Sequence, residues 1–231
     1  MKPPFPGVKG AWEKPTVVNN VETLSNVPDI ILKGGSWFKN IGAEGSSGTK
    51  VFTVIGDVNT PGLCEVPMGT SLRTIIDKYG GGIKDDKKFK AALVGGAAGV
   101  FLPDNLLDVK MDYNNLKDYS AVLGSGAILV MNEDADMIEM LFSVLRFFRH
   151  ESCGKCSPCK NGTEALYQYI LNIRNGKGTS DDLEKMILLS KTMQATSFCP
   201  LGQSLIMPVK SAIENFREDF ENYKKNKMGA Q

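Results

Sequence analysis

The chain has 231 residues, 42% of them hydrophobic, which is enough for one large domain or two small ones around a buried core. Its 27 basic and 26 acidic residues balance, so there is no electrostatic case for nucleic acid or an anionic membrane surface as partner. No apolar run is long enough to span a bilayer, and the opening Met1-Lys2-Pro3-Pro4-Phe5-Pro6-Gly7 has the pattern of neither a signal nor a transit peptide. The expectation is a cytoplasmic protein or the soluble arm of a membrane-associated complex.

The residues divide into three regions, 1–48, 49–132 and 133–231. The first opens with a proline-rich extended stretch that makes no core of its own. Val17-Val18 reads as a strand end. Asn19 or Asn20 then caps a helix carrying Val21, Leu24 and Val27. Residues 42–48 are rich in glycine and serine and read as a linker or loop. They are not a phosphate loop, because the order is Gly48-Thr49-Lys50 rather than Gly-Lys-Ser/Thr.

The second region has strand character. Lys50-Val51-Phe52-Thr53-Val54-Ile55-Gly56 is a strand, Asn59-Thr60-Pro61-Gly62 a turn, and Leu63 to Val66 the hairpin partner. Cys64 within it reads as a small, half-buried apolar residue. Thr70 is expected to cap a short helix through Leu72, Ile75 and Ile76 that stops at Gly80-Gly81-Gly82. Residues 90–94 and 127–131 are further strands. Gly95-Gly96-Ala97-Ala98-Gly99 is a tight turn, since it lacks the Gly-x-Gly-x-x-Gly order of a dinucleotide fingerprint. A hairpin, a helix and more strands in that order predict an α+β, β-grasp (ubiquitin-like) unit.

The third region is helical. Met137, Met140, Leu141, Val144, Leu145 and Phe148 trace one apolar face, behind Asp134 or Asp136 as cap. Pro158 opens a second helix through Leu166, Tyr169, Ile170 and Ile173 to Gly176. Ser180 caps a third, with Leu183, Met186 and Ile187 apolar. A fourth starts at Pro208 and buries Val209, Ile213, Phe216 and Phe220, ending in a solvated charged face over residues 217–227. The predicted outcome is a four-helix bundle.

Four of the five cysteines carry the chemistry. Cys153, Cys156 and Cys159 form a Cys-x2-Cys-x2-Cys run between the first two helices; Cys199 stands alone between the last two, followed by Pro200. In an up-down bundle both loops lie at one end, so the four thiolates can converge. Structural zinc usually takes two paired knuckles, whereas three ligands on one loop and a distant fourth suit a [4Fe–4S] cluster. Such usage is poor material for disulfides and suits a reducing compartment. Two other readings stay open: a zinc-stabilised interaction module, and a scaffold whose cluster is purely structural. His150, the only histidine, reads as a helix C-terminal residue rather than a ligand. Lys155 and Lys160 either offset the charge of a thiolate cluster or are ordinary surface lysines.

Glu151-Ser152-Cys153-Gly154-Lys155-Cys156-Ser157-Pro158-Cys159 resembles the signature of the NADH-binding flavoprotein subunit of respiratory complex I, a subunit type shared with NAD-dependent and electron-bifurcating hydrogenases and formate dehydrogenases. Pro3 to Gly7, Lys14 to Thr23 and Ser197-Phe198-Cys199-Pro200 extend the resemblance to nearly the whole chain. It implies an FMN- and NADH-binding domain, a β-grasp domain and a helical bundle holding one cluster. It also implies hydride transfer from NADH to FMN, with electrons leaving singly through the cluster to iron–sulfur partners, a thioredoxin-like [2Fe–2S] subunit among them. By motif match Asn19, Asn20 and Thr23 would touch the flavin, and Cys153, Cys156, Cys159 and Cys199 would bind the cluster.

Against that pattern, residues 1–48 correspond only to the last part of the flavin domain and its linker. The glycine-rich stretch that cradles the FMN and NADH phosphates has no counterpart. The expectation is therefore a fragment or half of a split subunit, inactive with NADH alone, that gains FMN and NAD(H) only together with the remainder, on the same chain or on a separate one. A ferredoxin-like C-terminal extension is likewise absent. Lys160 stands where the family usually has arginine, which keeps the charge and loses bidentate bonding.

Overall fold

The computed structural model describes residues 4–228. Residues 1–3 of the proline-rich opening lie outside them, as do the side chains at 180 and 224–228, so the charged face read over 217–227 is described only as far as Tyr223.

A short 3-10 turn, Ala11–Glu13, leads to helix α1 (Val21–Lys33). Of the two candidate caps it is Asn20 that acts: its Oδ1 accepts the Thr23 N–H at 3.0 Å. Helix α2 (Gly35–Lys39) follows. The segment expected to be a linker is instead a miniature hairpin, β1 (Gly42–Ala43) with β2 (Ser46–Ser47). Gly45, at φ 73°, supplies the left-handed residue its turn needs.

The β-grasp sheet contains β3 (Thr49–Gly56), β4 (Gly62–Pro67), β5 (Phe89–Val94), β6 (Val100–Pro103) and β7 (Ala127–Asn132), in the order β4-β3-β7-β5-β6. Only the β3–β7 pair is parallel. Strand β6 is not among the expected strands, because its short apolar run hides behind the glycine turn at 95–99, which does form a tight connection. Helix α3 (Leu72–Thr74) continues as one π turn, Ile75–Tyr79, and its cap is Ser71 rather than Thr70. Ser71 Oγ accepts the Thr74 N–H at 3.2 Å, while the Thr70 hydroxyl donates back to the Pro67 carbonyl. Helix α4 (Tyr113–Lys117) precedes β7.

Pleating sends alternate side chains to opposite faces, and both faces here are covered. Phe52, Val54, Val94, Ile128 and Val130 pack against Leu72, Ile75 and Ile76. Ala91, Leu93, Phe101 and Met131 point the other way, into the core of the helical region.

That region contains α5 (Met137–Glu151), α6 (Ser157–Arg174), α7 (Ser180–Thr196), α8 (Pro200–Gln203), α9 (Ile206–Asn215) and α10 (Arg217–Met228). Asp136 caps α5 by accepting the Ile138 and Glu139 N–H groups, whereas Asp134 pairs with Lys87. The cap of α7 is Thr179, one residue earlier than expected; its N–H and hydroxyl both donate to the Asp182 carboxylate. The expected fourth helix is two pieces, α9 and α10, with the short α8 ahead of them. Pro208 lies inside the first turn of α9, where its missing N–H costs little, and does not start it. Phe216, at φ −130° and ψ 33°, separates α9 from α10. Helix α9 also closes the sheet's edge. Ser211 Oγ accepts the Phe101 N–H at 3.0 Å and Asn215 Nδ2 donates to the Phe101 carbonyl at 2.9 Å, satisfying edge-strand groups that have no further strand to pair with.

No residue of α1 is buried, so packing does not hold it. Glu22 does. The β3–β7 pairing begins only at Thr53, and beyond that end Glu22 Oε1 accepts the Val51 N–H at 2.8 Å while its other oxygen pairs with Lys50. Burial alone would raise the Glu22 pKa, but the bonds from Lys50 and Val51 outweigh it and the net shift is downward. A carboxyl lowered in the folded state contributes stability above its unfolded pKa, and that stability is lost as pH falls through the folded value. Glu22→Ala should cost about 1–3 kcal/mol, because the Lys50 ammonium and Val51 N–H lose their acceptor. Hydrogen exchange at the Val51 amide reads it directly: exchange accelerates in the variant, and in the wild type only below the ordinary carboxylate range. Unchanged protection in the variant would contradict this role.

Candidate metal centre

The α5–α6 and α7–α8 connections meet at one end of the bundle. Ser152 ends α5, and the backbone turns through Gly154 at φ 73°. Cys156 is then the N-cap of α6 and Cys159 lies in its first turn, followed by 15 more helical residues. The unpaired N–H groups and positive dipole end of this long helix therefore face two thiols. Cys199 occupies the corresponding cap position of α8. Cys156 and Cys159 are 7% and 4% exposed, while Cys153 and Cys199 lie at the surface.

Electrostatics ties the four together. The Phe198 N–H, and after it the Cys159 N–H, are aimed at the Cys156 sulfur and hold its thiol below the ordinary value. The Phe198 N–H belongs to the other cysteine loop, so the two loops lie within electrostatic reach of each other. Burial pushes the Cys159 thiol up; Ser152 Oγ, 3.3 Å from the sulfur, opposes this, and the charges of Cys156, Cys199 and Cys153 add to the rise. All four sulfurs thus lie within electrostatic reach of one another, and full ionisation needs a strongly positive group among them.

Among the described residues no three His, Cys, Asp or Glu side chains converge on a single-ion site. A cubane asks for a different arrangement, because each thiolate binds its own corner iron. The donor set fits such a group: four soft thiolates, backbone N–H groups directed at sulfur, and a buried hydroxyl beside the loops with no partner, Ser197 Oγ.

The remaining candidates fall elsewhere. His150 is exposed in the last turn of α5, and Lys155 and Lys160 are exposed beside the thiols. Cys64 sits on β4 opposite Phe52; burial raises its thiol pKa, as expected of a packing residue. Asn19, Asn20 and Thr23 gather at the start of α1, sharing no element with the cysteines. Asn19 Oδ1 accepts the Asn20 N–H at 2.7 Å, and Asn20 and Thr23 line an open cleft of 390 Å³ with Glu22, Phe38 and Tyr113. Ser152, Ser197, Phe198 and Gly202 lie beside the cysteines, and sequence reasoning assigns none of them a role. Nothing in cysteine spacing singles out a neighbouring hydroxyl or a backbone donor.

Comparison with known proteins points to the same two regions. Residues 139–223 match the model of the NADH-ubiquinone oxidoreductase-F iron–sulfur binding region, and residues 51–100 match the SLBB domain. The chain is 46% identical over 220 residues to the HndC component of the NADP-reducing hydrogenase of Solidesulfovibrio fructosivorans, covering 95% of this chain and 45% of that protein. It is 39% identical to an F-type component of the NADH-quinone oxidoreductase of Rhizobium meliloti, over 95% of this chain and 52% of the relative. The chain thus spans about half the length of the curated relatives it matches. A chain in the crystal structure of air-oxidized NAD+-reducing [NiFe]-hydrogenase superposes with a TM-score of 0.83 at 34% identity, covering 95% of this chain and 37% of that one.

Proposed function

The chain is a homologue of the F-type subunits of NADH-quinone oxidoreductase and carries their iron–sulfur binding region, and from that premise we propose that it is the electron-exit part of an NADH-oxidising flavoprotein. In this reading it passes electrons singly from FMN through a [4Fe–4S] cluster to further iron–sulfur subunits of a larger complex. The observation that carries it is the meeting, inside the matched region, of the only two loops that bear Cys153, Cys156, Cys159 and Cys199.

When bound, the cluster supplies reversible one-electron chemistry. The chain's own residues do the rest. The four cysteines hold it. Cys156 and Cys159 are buried at the head of α6, where N–H groups that stabilise negative charge would favour their thiolates as ligands. Cys153 and Cys199, the other two residues that would hold it, lie at the surface, beside Phe198, which is 83% exposed. That is where an electron-accepting partner, a thioredoxin-like [2Fe–2S] subunit in this reading, would dock. No residue among those described is assigned a catalytic step.

On the opposite task, Asn19, Asn20 and Thr23 are the proposed flavin contacts. Asparagine amide N–H groups suit flavin or phosphate oxygens. Val17, Val18 and Val21, their neighbours in sequence, are exposed apolar residues of the kind that marks a contact with another part of an assembly. Among the described residues no helix is long and apolar enough to cross a membrane.

Cys199→Ser in the assembled enzyme tests the relay. NADH should still reduce the flavin, while electron delivery to downstream acceptors falls by at least about tenfold, since the substitution removes a ligand and little packing. Onward transfer at the wild-type rate would sink the proposal.

A further inference from the structure

Ser197 follows the last turn of α7 and directly precedes Phe198 and Cys199. It is 5% exposed, and its hydroxyl is, among the described residues, the one buried side-chain nitrogen or oxygen without a hydrogen-bond partner. Other buried hydroxyls in the bundle bond back to a carbonyl of the preceding turn: Thr163 to Cys159, Ser190 to Ile187, Ser211 to Met207. Ser197 has left the helix, at φ −72° and ψ 146°, and its own N–H already takes the Met193 carbonyl. Its carbonyl is taken too, by Gln203 Nε2 at 2.8 Å. Only the hydroxyl is left over.

Its position is specific. A Cβ placed on Gly202 would stand 2.4 Å from Ser197 Oγ and 3.1 Å from Cys159 Cβ, so Gly202 is the gap across which Ser197 and the cysteine site face each other. A buried, unsatisfied hydroxyl is costly to retain, and such groups call for an absent partner. The chemistry of this site offers one kind: the thiolate and sulfide sulfurs of a bound cluster, which accept hydrogen bonds and donate none.

We propose that Ser197 is a positioning residue whose O–H donates a hydrogen bond to a sulfur of the bound iron–sulfur cluster, either a thiolate or an inorganic sulfide, and thereby raises its reduction potential. The inference rests on the cluster assignment above. Its sign follows from charge. The reduced cluster carries one more negative charge than the oxidised one, so a fixed donor stabilises the reduced form more. Serine at this position thus favours acceptance of the electron by the site and does not merely fill space.

Ser197→Ala in the cluster-loaded full chain separates the possibilities. Iron and sulfide are assayed first: their absence from the wild type would refute the cluster assignment itself, independently of Ser197. With the cluster present, a redox titration followed by electron paramagnetic resonance should show the reduced-to-oxidised ratio at fixed potential falling by about tenfold, which is about 59 mV for a one-electron couple. An exchangeable proton coupled to the reduced cluster should also disappear from the electron–nuclear double-resonance spectrum. A potential and proton coupling equal to wild type would overturn the proposal and leave Ser197 as a packing residue. Should the alanine variant lose its cluster, Ser197→Thr decides: retention with the wild-type potential supports the hydroxyl's role, and loss in both variants contradicts it.

Discussion

Cys156→Ser is expected to reduce iron from about four atoms per chain to near none. Three features concentrate the effect at this residue. Cys156 occupies the N-cap of α6, is almost fully buried, and has its thiol lowered by the Phe198 N–H of the other cysteine loop. Serine keeps the volume but offers a hard hydroxyl where a soft thiolate is wanted, and its oxygen is a poorer acceptor for N–H groups set at sulfur distance. Because metal binding is coupled to folding, the loss extends beyond the site. Thermal unfolding should occur at lower temperature, with the 152–159 and 196–203 segments losing amide protection before the β-grasp sheet does. Cys64→Ser is the matched control. It lies on β4, opposite Phe52, and should leave iron at the wild-type level. Equal iron in the Cys156 variant and the wild type would refute the assignment of this ligand.

Gly202→Ala should be nearly as damaging, although it changes no ligand. The added methyl would meet Ser197 Oγ at 2.4 Å, Ser197 Cβ at 2.7 Å and Cys159 Cβ at 3.1 Å. The hydroxyl can rotate away, but the two Cβ atoms move only with their backbones. One belongs to the loop before Cys199 and the other to the first turn of α6, so relief of the clash pulls the two halves of the site apart. Overpacking of this kind costs about 1–3 kcal/mol in stability. Misplacing a ligand set further lowers cluster retention, and we expect iron occupancy to fall well below half of wild type. Iron analysis paired with a thermal melt checks both parts. A variant with full iron and an unchanged melting temperature would show that α8 yields freely, and that the close approach at Gly202 does not hold the site together.

How far this structure is legible in the sequence depends on whether the signal is local. Helices α5, α6 and α7 are readable because their apolar residues repeat at helical spacing and sit beside recognisable caps. The meeting of the two cysteine loops is readable because three cysteines within seven residues share one loop, and the bundle's alternation then brings Cys199 to the same end. Where neighbouring residues can do the same job, local chemistry does not choose. Thr70 and Ser71 can both cap α3; Thr70 instead donates to the Pro67 carbonyl three residues back, which leaves the cap to Ser71. Strand β6 is too short to show a period. The break at Phe216 carries no proline or glycine; it reflects the need to bury Phe220 and Tyr223 after α9 has closed the sheet edge. Glu22 looks like an ordinary first-turn acid, and its service to Val51 depends on where β7 begins to pair with β3. Ser197 is invisible for a similar reason. A serine before a cysteine is unremarkable until burial and the absence of a partner are known.

The central claim is that these four cysteines hold a four-iron cluster that carries electrons. Metal and sulfide analysis after anaerobic purification, joined to electron paramagnetic resonance of the dithionite-reduced protein, tests it most directly. The expected result is about four iron and four sulfide per chain and a reduced-cluster signal that appears within the potential range of NADH-linked carriers. One equivalent of zinc with neither iron nor sulfide would contradict it.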